Sequence, residues 1–459
     1  MTPDLKAAAA GPAASSAAPA GGAFANRDFV KLWAGQTVSL IGTQVTQFAM
    51  PLVAVLTLNA TVFQVGLLFA MRFVPVILLS VFAGVWLDRR RRRPVLISCA
   101  FGNAALIGLV PIAAETGILS IGLLYVVTAL VGTLNMAFDV RALSYVPQLV
   151  EPRHLAESNG RIQASTAFAG VSGPALAGVL VGLITAPITL SVDAVSYLFS
   201  AFGLISIRKP EPDPEIPAHR PSVLGSIAEG FRAVYGSRLL RALLTQSTTL
   251  NLFFGSFITI FVVYAVRTLG LSPFQLSIVM GAAAAGGLLG ALSAARVRNV
   301  LGFGRSMAVA TICMAAAPLL LLIPRHAGPL SVAVLAIGQL IYGGSVSMFN
   351  VNGITLRQVV TPRRLLARMN ATYRMLLFGV APIGGVMGGL LGGALGLRSG
   401  LMISLILMTS PAGWLVRSPV FRLAEMPPGP PPAPGAPGHL GPPQATSTAT
   451  DPAKDGENR

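Results

Sequence analysis

The sequence predicts an all-α membrane protein, with twelve transmembrane helices arranged as two six-helix, pseudo-symmetric bundles. Three observations carry that expectation. Of the 459 residues, 53% are hydrophobic and 11% charged, with a mean hydropathy of +0.71, whereas soluble globular chains carry about 25% charged residues. About twelve apolar runs long enough to cross a bilayer follow one another. A series of sequence matches also recurs at one offset close to 210 residues.

Residues 1–26, rich in Ala, Gly, Pro and Ser, lack the apolar core of a cleavable signal peptide and read as a disordered arm. The first six spans are expected at 31–57, 64–87, 94–114, 118–140, 162–185 and 188–207. A polar segment, 208–240, opens with the Pro- and acid-rich RKPEPDPEIP. From Ser222 it takes on helical periodicity, the pattern of an amphipathic helix lying along the membrane surface. The second six spans are expected at 241–265, 275–295, 305–323, 330–352, 370–393 and 399–416. The Pro- and Gly-rich tail, 421–459, cannot build a packed core. The expected units are therefore the arm 1–26, a bundle over 27–207, a cytoplasmic linker over 208–240, a bundle over 241–420 and the tail.

Charge orients the chain. With the N-terminus inside, 29 of the 33 Lys and Arg residues face the cytoplasm; Arg267, Arg325 and Arg398 fall outside, and Arg72 lies within a span. The opposite orientation breaks the positive-inside rule. The tightest anchor is GVWLDRRRRRP, Gly84 to Pro94, where five arginines sit between two apolar runs. The net charge of +17 is thus a topology signal and does not point to nucleic acid. Both termini are expected in the cytoplasm, with the chain multi-pass in the cell membrane.

Absences narrow the chemistry. Cys99 and Cys313 lie in apolar runs, where a small buried side chain is the expected role. His154, His219, His326 and His439 show neither metal-ligand nor triad spacing. None of Lys6, Lys31, Lys209 and Lys454 sits in a phosphate-binding loop. No cofactor, metal or enzymatic activity is expected, so work must come from an ion gradient or the substrate's own gradient.

The repeat runs through the whole chain. QLVEPRHLAESN from Gln148 is echoed by QVVTPRRLLARMN from Gln358; Gln148 and Gln358, Pro152 and Pro362, and Gln36 and Gln246 are each 210 apart. Phe63-Gln64 matches Phe274-Gln275 at 211, and Pro174 matches Pro382 at 208. Two copies in the same orientation enclose a polar cavity that rocking exposes to each side in turn. GVWLDRRRRRP resembles the signature loop between helices 2 and 3 of the major facilitator superfamily, with Arg91 standing where a second Gly is usual. RDFVKLWAGQTVSLIGTQVTQFAMPLVAVL, PQLVEPRHLAESN and VDAVSYLFSA are similar to a bacterial branch of that superfamily. This is the branch of multidrug, macrolide and siderophore exporters of the drug:proton antiporter-3 type. The resemblance spans roughly residues 27–420.

The resemblance implies a gating motif of Gly84, Asp88, Arg89, Arg92 and Arg93, whose carboxylate contacts a basic residue near the inner end of helix 4 and the N-terminus of helix 11. Arg141 is the candidate partner, and a carboxylate at a helix N-terminus is favoured by about 0.3–1 kcal/mol. The plainer alternative is that the arginines anchor topology while Asp88 is merely solvated. SGPALAG, Ser172 to Gly178, resembles the antiporter-associated motif of span 5, with Gly173, Pro174 and Gly178 as a bendable close-packing hinge. Gly384-Gly385 and Gly388-Gly389 are its counterparts in span 11.

Ionisable groups inside hydrocarbon are costly and usually functional. Arg72, Asp139 and Asp193 are therefore the proton-coupling candidates. Either aspartate suits a proton carrier or a structural ion pair, and Arg72 suits either partner or an anionic substrate. Substrate-cavity candidates on spans 1, 4, 7 and 10 are Gln44, Gln47, Asn135, Asn251, Phe254, Gln339, Tyr342 and Asn350. Each suits helix packing equally well. A mixed apolar and amide wall fits amphipathic organic molecules.

The expected function is a monomeric secondary transporter, exporting amphipathic or hydrophobic small molecules such as drugs or macrolide-like compounds by proton-coupled alternating access. Its partners are the small-molecule substrate, the proton and the lipid bilayer. Alternatives are a dedicated siderophore or natural-product exporter, an importer of small polar solutes, and a non-transporting membrane scaffold or sensor.

Overall fold

The computed structural model describes residues 26–74, 90–211, 223–421 and 423, and every regular element among them is helical. The first set comprises α1 (Arg27–Leu52), α2 (Val62–Met71), α3 (Arg92–Glu115), α4 (Ile121–Leu149), α5 (Leu155–Leu183) and α6 (Ala186–Ile205). A short helix, α7 (Val223–Gly236), leads into the second set. That set comprises α8 (Arg238–Arg267), α9 (Pro273–Leu301), α10 (Phe303–Ala316), α11 (Pro329–Val360), α12 (Leu366–Gly379), α13 (Ala381–Leu395) and α14 (Leu397–Arg417).

Ten helical segments among the described residues are long and apolar enough to cross a membrane, with α12 and α13 contributing jointly to one. Two further helices, α2 and α14, stand where the second and twelfth spans are expected. Most of the second expected span lies outside the described residues.

Several helices outrun their apolar runs. Span 4 is expected to end at residue 140 but α4 continues to Leu149, and span 10 is expected to end at 352 but α11 continues to Val360. Apolarity marks only the stretch that lipid must cover, whereas backbone hydrogen bonding carries the helix onward into water. Span 11 is broken between Gly379 and Ala381, where Pro382 supplies no amide donor. Asn26, assigned to the disordered arm, instead caps α1: its Oδ1 accepts from the amides of Asp28 and Phe29 at 3.0 and 3.1 Å, and its Nδ2 donates to the Leu149 carbonyl at 2.6 Å. At the other end Leu423, placed in the tail, accepts from the Gly304 amide at 2.8 Å.

The repeat reappears as geometry. Thr61 and Gln64 form a capping box on α2, and Ser272 and Gln275 form the same box on α9, 211 residues on. Just before each box stands a positive φ, 50° at Asn59 and 71° at Gly270. Backbone bonds from Leu58 to Val53 and from Ala60 to Ala54 recur as Leu269 to Tyr264 and Leu271 to Ala265. Neighbours recur too. In the first set α1 packs on α5 and α6, α3 on α4 and α6, and α2 on α4. In the second, α8 packs on α13 and α14, α10 on α11 and α14, and α9 on α11. The sets meet through α2 with α13 and α5 with α9, which are themselves mates under the repeat. Within the second set α9 and α11 touch backbone to backbone, Gly286 and Gly290 lying against the Leu340 and Gly344 carbonyls.

Candidate functional site

The seam between the two sets is where small residues and charges converge. A methyl group on Gly385 of α13 would lie 2.9 Å from the Gly66 carbonyl oxygen and 2.8 Å from the Phe69 ring of α2, so those backbones meet with no room for a side chain. On the other seam Gly178 of α5 abuts Ser277 of α9. Gly173, one turn away, instead receives the side chain of Gln44 from α1, and Pro174 is buried beside it. The hinge candidates therefore hold α5 between its own set and the other one. A wholly apolar pocket of about 450 Å³ opens at the α2–α13 seam, between Leu67 and Met71 on one side and Pro382, Ile383 and Leu390 on the other.

At the same seam Phe73, just past the end of α2, stacks on Phe378 of α12, with centroids 6.3 Å apart and planes at 11°. The Arg72 guanidinium lies over Phe73 at 5.6 Å, and that of Arg374 over Phe378 at 6.0 Å. Asp139 of α4 lies within electrostatic range of both arginines. Asp139 and Arg374 are exposed and Arg72 is half-buried. Charges converging from three membrane helices are costly in hydrocarbon, and here each has an opposite charge or an aromatic face within reach. Arg72 is also within range of Tyr197, and the fully buried Asp193 is not among its electrostatic partners.

Asp193 sits deeper, at the α1–α6 contact, with its Oδ1 against Gly42. Its Oδ1 accepts from Ser196 Oγ at 3.0 Å, and the Thr46 hydroxyl of α1 also stands within hydrogen-bonding reach of the carboxylate. Among the described residues no basic side chain forms an ion pair with it. One turn along α6, Tyr197 joins a buried polar network. Its hydroxyl lies 3.0 Å from Thr43 Oγ1 and donates to Asn135 Oδ1 at 2.9 Å, which also accepts from Asn103 Nδ2 at 2.9 Å. Four helices, α1, α3, α4 and α6, are thereby tied at one level.

The remaining cavity candidates are dispersed. Gln47 is half-buried and Asn350 exposed, whereas Gln339 is buried. Asn251 donates to the Ser247 carbonyl of its own helix at 3.0 Å. Phe254 of α8 stacks on Tyr342 of α11, with centroids 5.9 Å apart, and forms an aromatic wall with Phe257.

Gly84, Asp88 and Arg89 of the gating motif lie outside the described residues. Arg141 is buried near the end of α4. Arg92 and Arg93 have a partner that sequence reasoning missed. Their amides, at the N-terminus of α3, donate to the two carboxylate oxygens of Glu211 at 2.6 and 3.0 Å. Arg93 also donates through Nε to the Leu204 carbonyl at 3.0 Å and through Nη2 to that of Ile205 at 2.7 Å, closing the end of α6. The acid-rich start of RKPEPDPEIP was the available signal. Helix α7 docks on α12 through Gly230 against Thr372 and a Glu229–Arg368 ion pair. Arg374 falls just inside the eleventh expected span, close behind Arg363, Arg364 and Arg368, and nothing in its neighbours marked it as facing the interior.

Comparison with known proteins agrees with this architecture. The chain is 24% identical over 266 residues to macrolide efflux protein A of Streptococcus pyogenes, a match covering 58% of this chain and 65% of that protein, just under two thirds of its length. It is 26% identical over 330 residues to the multidrug efflux pump Tap of Mycobacterium tuberculosis, covering 70% of this chain and 77% of the pump. Its fold is similar to that of a bacterial homologue of the iron transporter ferroportin in an inward-facing state, with a TM-score of 0.69 at 17% identity, covering 85% and 98% of the two chains. The nucleoside transporter NupG superposes with a TM-score of 0.64 at 13% identity, over 84% and 97%. Residues 32–385 match the family model of the Major Facilitator Superfamily. With two helix sets that repeat each other's neighbours around a charged seam, the chain is a multi-pass membrane protein and belongs to the Major Facilitator Superfamily.

Proposed function

We propose that this protein exports amphipathic or hydrophobic small molecules in exchange for protons, by alternating access between its two helix sets. The observation that carries the proposal is the charged site of Asp139, Arg72 and Arg374, set beside the stacked pair Phe73 and Phe378 at the line where the sets meet. A site on that line changes its surroundings whenever the sets rock, as alternating access requires. Its aromatic and guanidinium faces, with the apolar pocket beside it, suit organic molecules that combine a charged group with a greasy body. The efflux relatives support an outward direction.

Asp193 is the proposed proton carrier. It is fully buried, has hydroxyl partners in Ser196 and Thr46 and no cation among the described residues, so a proton is the neutralising partner open to it. The Tyr197 network connects its level with the Arg72–Asp139 site. Asp139, which already faces two arginines, is assigned to the cargo site. The arginine-rich end is read as cytoplasmic from the distribution of Lys and Arg, with both termini on that side of the cell membrane, and the unit of transport is one chain.

The test is accumulation of antibiotics, dyes and siderophores in inverted vesicles holding the wild-type protein. Acidifying the lumen should raise the uptake of amphipathic compounds, and a protonophore should abolish the increase. Uptake that ignores the gradient for every compound would reject proton coupling. A panel in which only small polar solutes move would reject the assigned cargo.

A further inference from the structure

The turns that follow α1 and α8 are copies of one another, yet only the second carries a cation. Arg267, in the last turn of α8, occupies the position that Leu56 holds in the first copy, 211 residues earlier. Its guanidinium reaches out of its own helix set. Nη2 donates to the Ala60 carbonyl at 2.8 Å and approaches that of Val55 at 3.4 Å. Val55 belongs to the π-helical turn that closes α1, and Ala60 to the loop that leads into α2. Carbonyls at a helix end lack intrahelical partners, and a guanidinium can bridge two of them. Leu56, 43% exposed, has nothing to offer the second turn in return. Arg267 is also one of the three basic residues that charge orientation leaves on the outer face. Topology gives it no reason to be there; the contact does.

We infer that Arg267 is the latch of the outer gate: its hydrogen bonds to the first-set turn hold the outer ends of the two helix sets together, and they must break before the cavity opens outward. The latch is one-sided. It pulls the second set onto the first without a reciprocal bond, so a single side chain governs release. Helices α2 and α13 also meet nearby, Phe63 lying against Gly389, so the released faces are small and apolar and can separate without stranding a second charge. This inference rests on alternating access but not on which compound is carried.

Spin-label distances test it. In a background with Cys99→Ala and Cys313→Ala, one labelled pair joins the outer loops (Ile118→Cys and Ala327→Cys). Another joins the opposite end (Asn159→Cys and Asn299→Cys); all four sites are exposed. Losing charge-assisted hydrogen bonds should raise the ratio of outward-open to inward-open protein by about tenfold in Arg267→Ala. The outer pair then lengthens while the other pair shortens, and Arg267→Lys shows a smaller shift. Leu56→Arg, which places a cation at the matching position, should move both distances the opposite way and keeps the test open if Arg267→Ala fails to fold. An unchanged ratio in Arg267→Ala or, should that variant not fold, in Leu56→Arg overturns the latch. A wild-type protein that shows one state only, with or without an imposed pH gradient, overturns alternating access instead.

Discussion

Replacing Asp193 with asparagine separates a proton carrier from a structural carboxylate. Asparagine keeps the shape and an acceptor oxygen for the Ser196 hydroxyl, which lies 3.0 Å from Oδ1, and it cannot ionise. If the native side chain is neutral in this fold, Asp193→Asn exchanges one neutral group for another. Stability should then change by no more than about 1 kcal/mol, the worth of one hydrogen bond gained or lost. If the native group carried a charge at this depth with hydroxyl partners but no cation, its removal would stabilise the protein by several kcal/mol. The assay pairs thermal unfolding in detergent with dye accumulation in inverted vesicles. The expected outcome is near wild-type unfolding, with gradient-driven accumulation reduced to the level seen without a gradient and downhill flux retained. Accumulation that still follows the pH gradient at the wild-type rate would refute the assignment of the proton to Asp193. A stabilisation of about 3 kcal/mol or more would refute the view that it is neutral.

Other consequences are as direct. Tyr197→Phe removes the donor to Asn135 and the partner of Thr43, and should cost about 1–3 kcal/mol, read as earlier thermal unfolding. Gly385→Val places a branched side chain where the Gly66 carbonyl already stands, so it should cost about 1–3 kcal/mol in overpacking and lower transport with it. Gly393→Ala meets open space and should leave both unchanged or slightly improved. The single variants Asp139→Asn and Arg374→Gln and their combination form a cycle. Substrate affinity should show a coupling of about 0.5–3 kcal/mol between these positions, and strict additivity would remove Arg374 from the cargo site.

The sequence exposed whatever depends on long averages and on duplication. Span positions follow from stretches of apolar residues, and the repeat was visible because Pro152 with Pro362 and Gln64 with Gln275 are residues a turn or a cap cannot easily exchange. The structure makes their reason explicit, since Gln64 and Gln275 close equivalent capping boxes. Sites assembled from several helices were less legible. Arg72 and Asp139 stood out because each is a lone charge inside an apolar run, but Arg374 was hidden in a basic stretch, and its direction depends on the helix break after Gly379. Glu211 was hidden in the same way, among other acids, because a carboxylate that will grip two amides of α3 looks locally like one that merely keeps a linker soluble. Tyr197 lies in the VDAVSYLFSA stretch, but its role was not legible there, as a tyrosine in an apolar helix is common and the polar network it joins comes from three other helices.

The contact between α9 and α11 has a mechanical consequence. Where Gly286 and Gly290 lie against opposing carbonyls, there is no layer of side chains to shear, so the two helices must travel as a single stiff plank. The first set repeats the contact where Gly132 of α4 lies against the Arg72 carbonyl just past α2, the counterpart of Gly343 against Ala283, and the Tyr125 hydroxyl adds a bond to the Gln64 carbonyl at 3.2 Å. Rocking should therefore carry each such pair of helices as one stiff piece, and leave the sliding to the α2–α13 and α5–α9 seams.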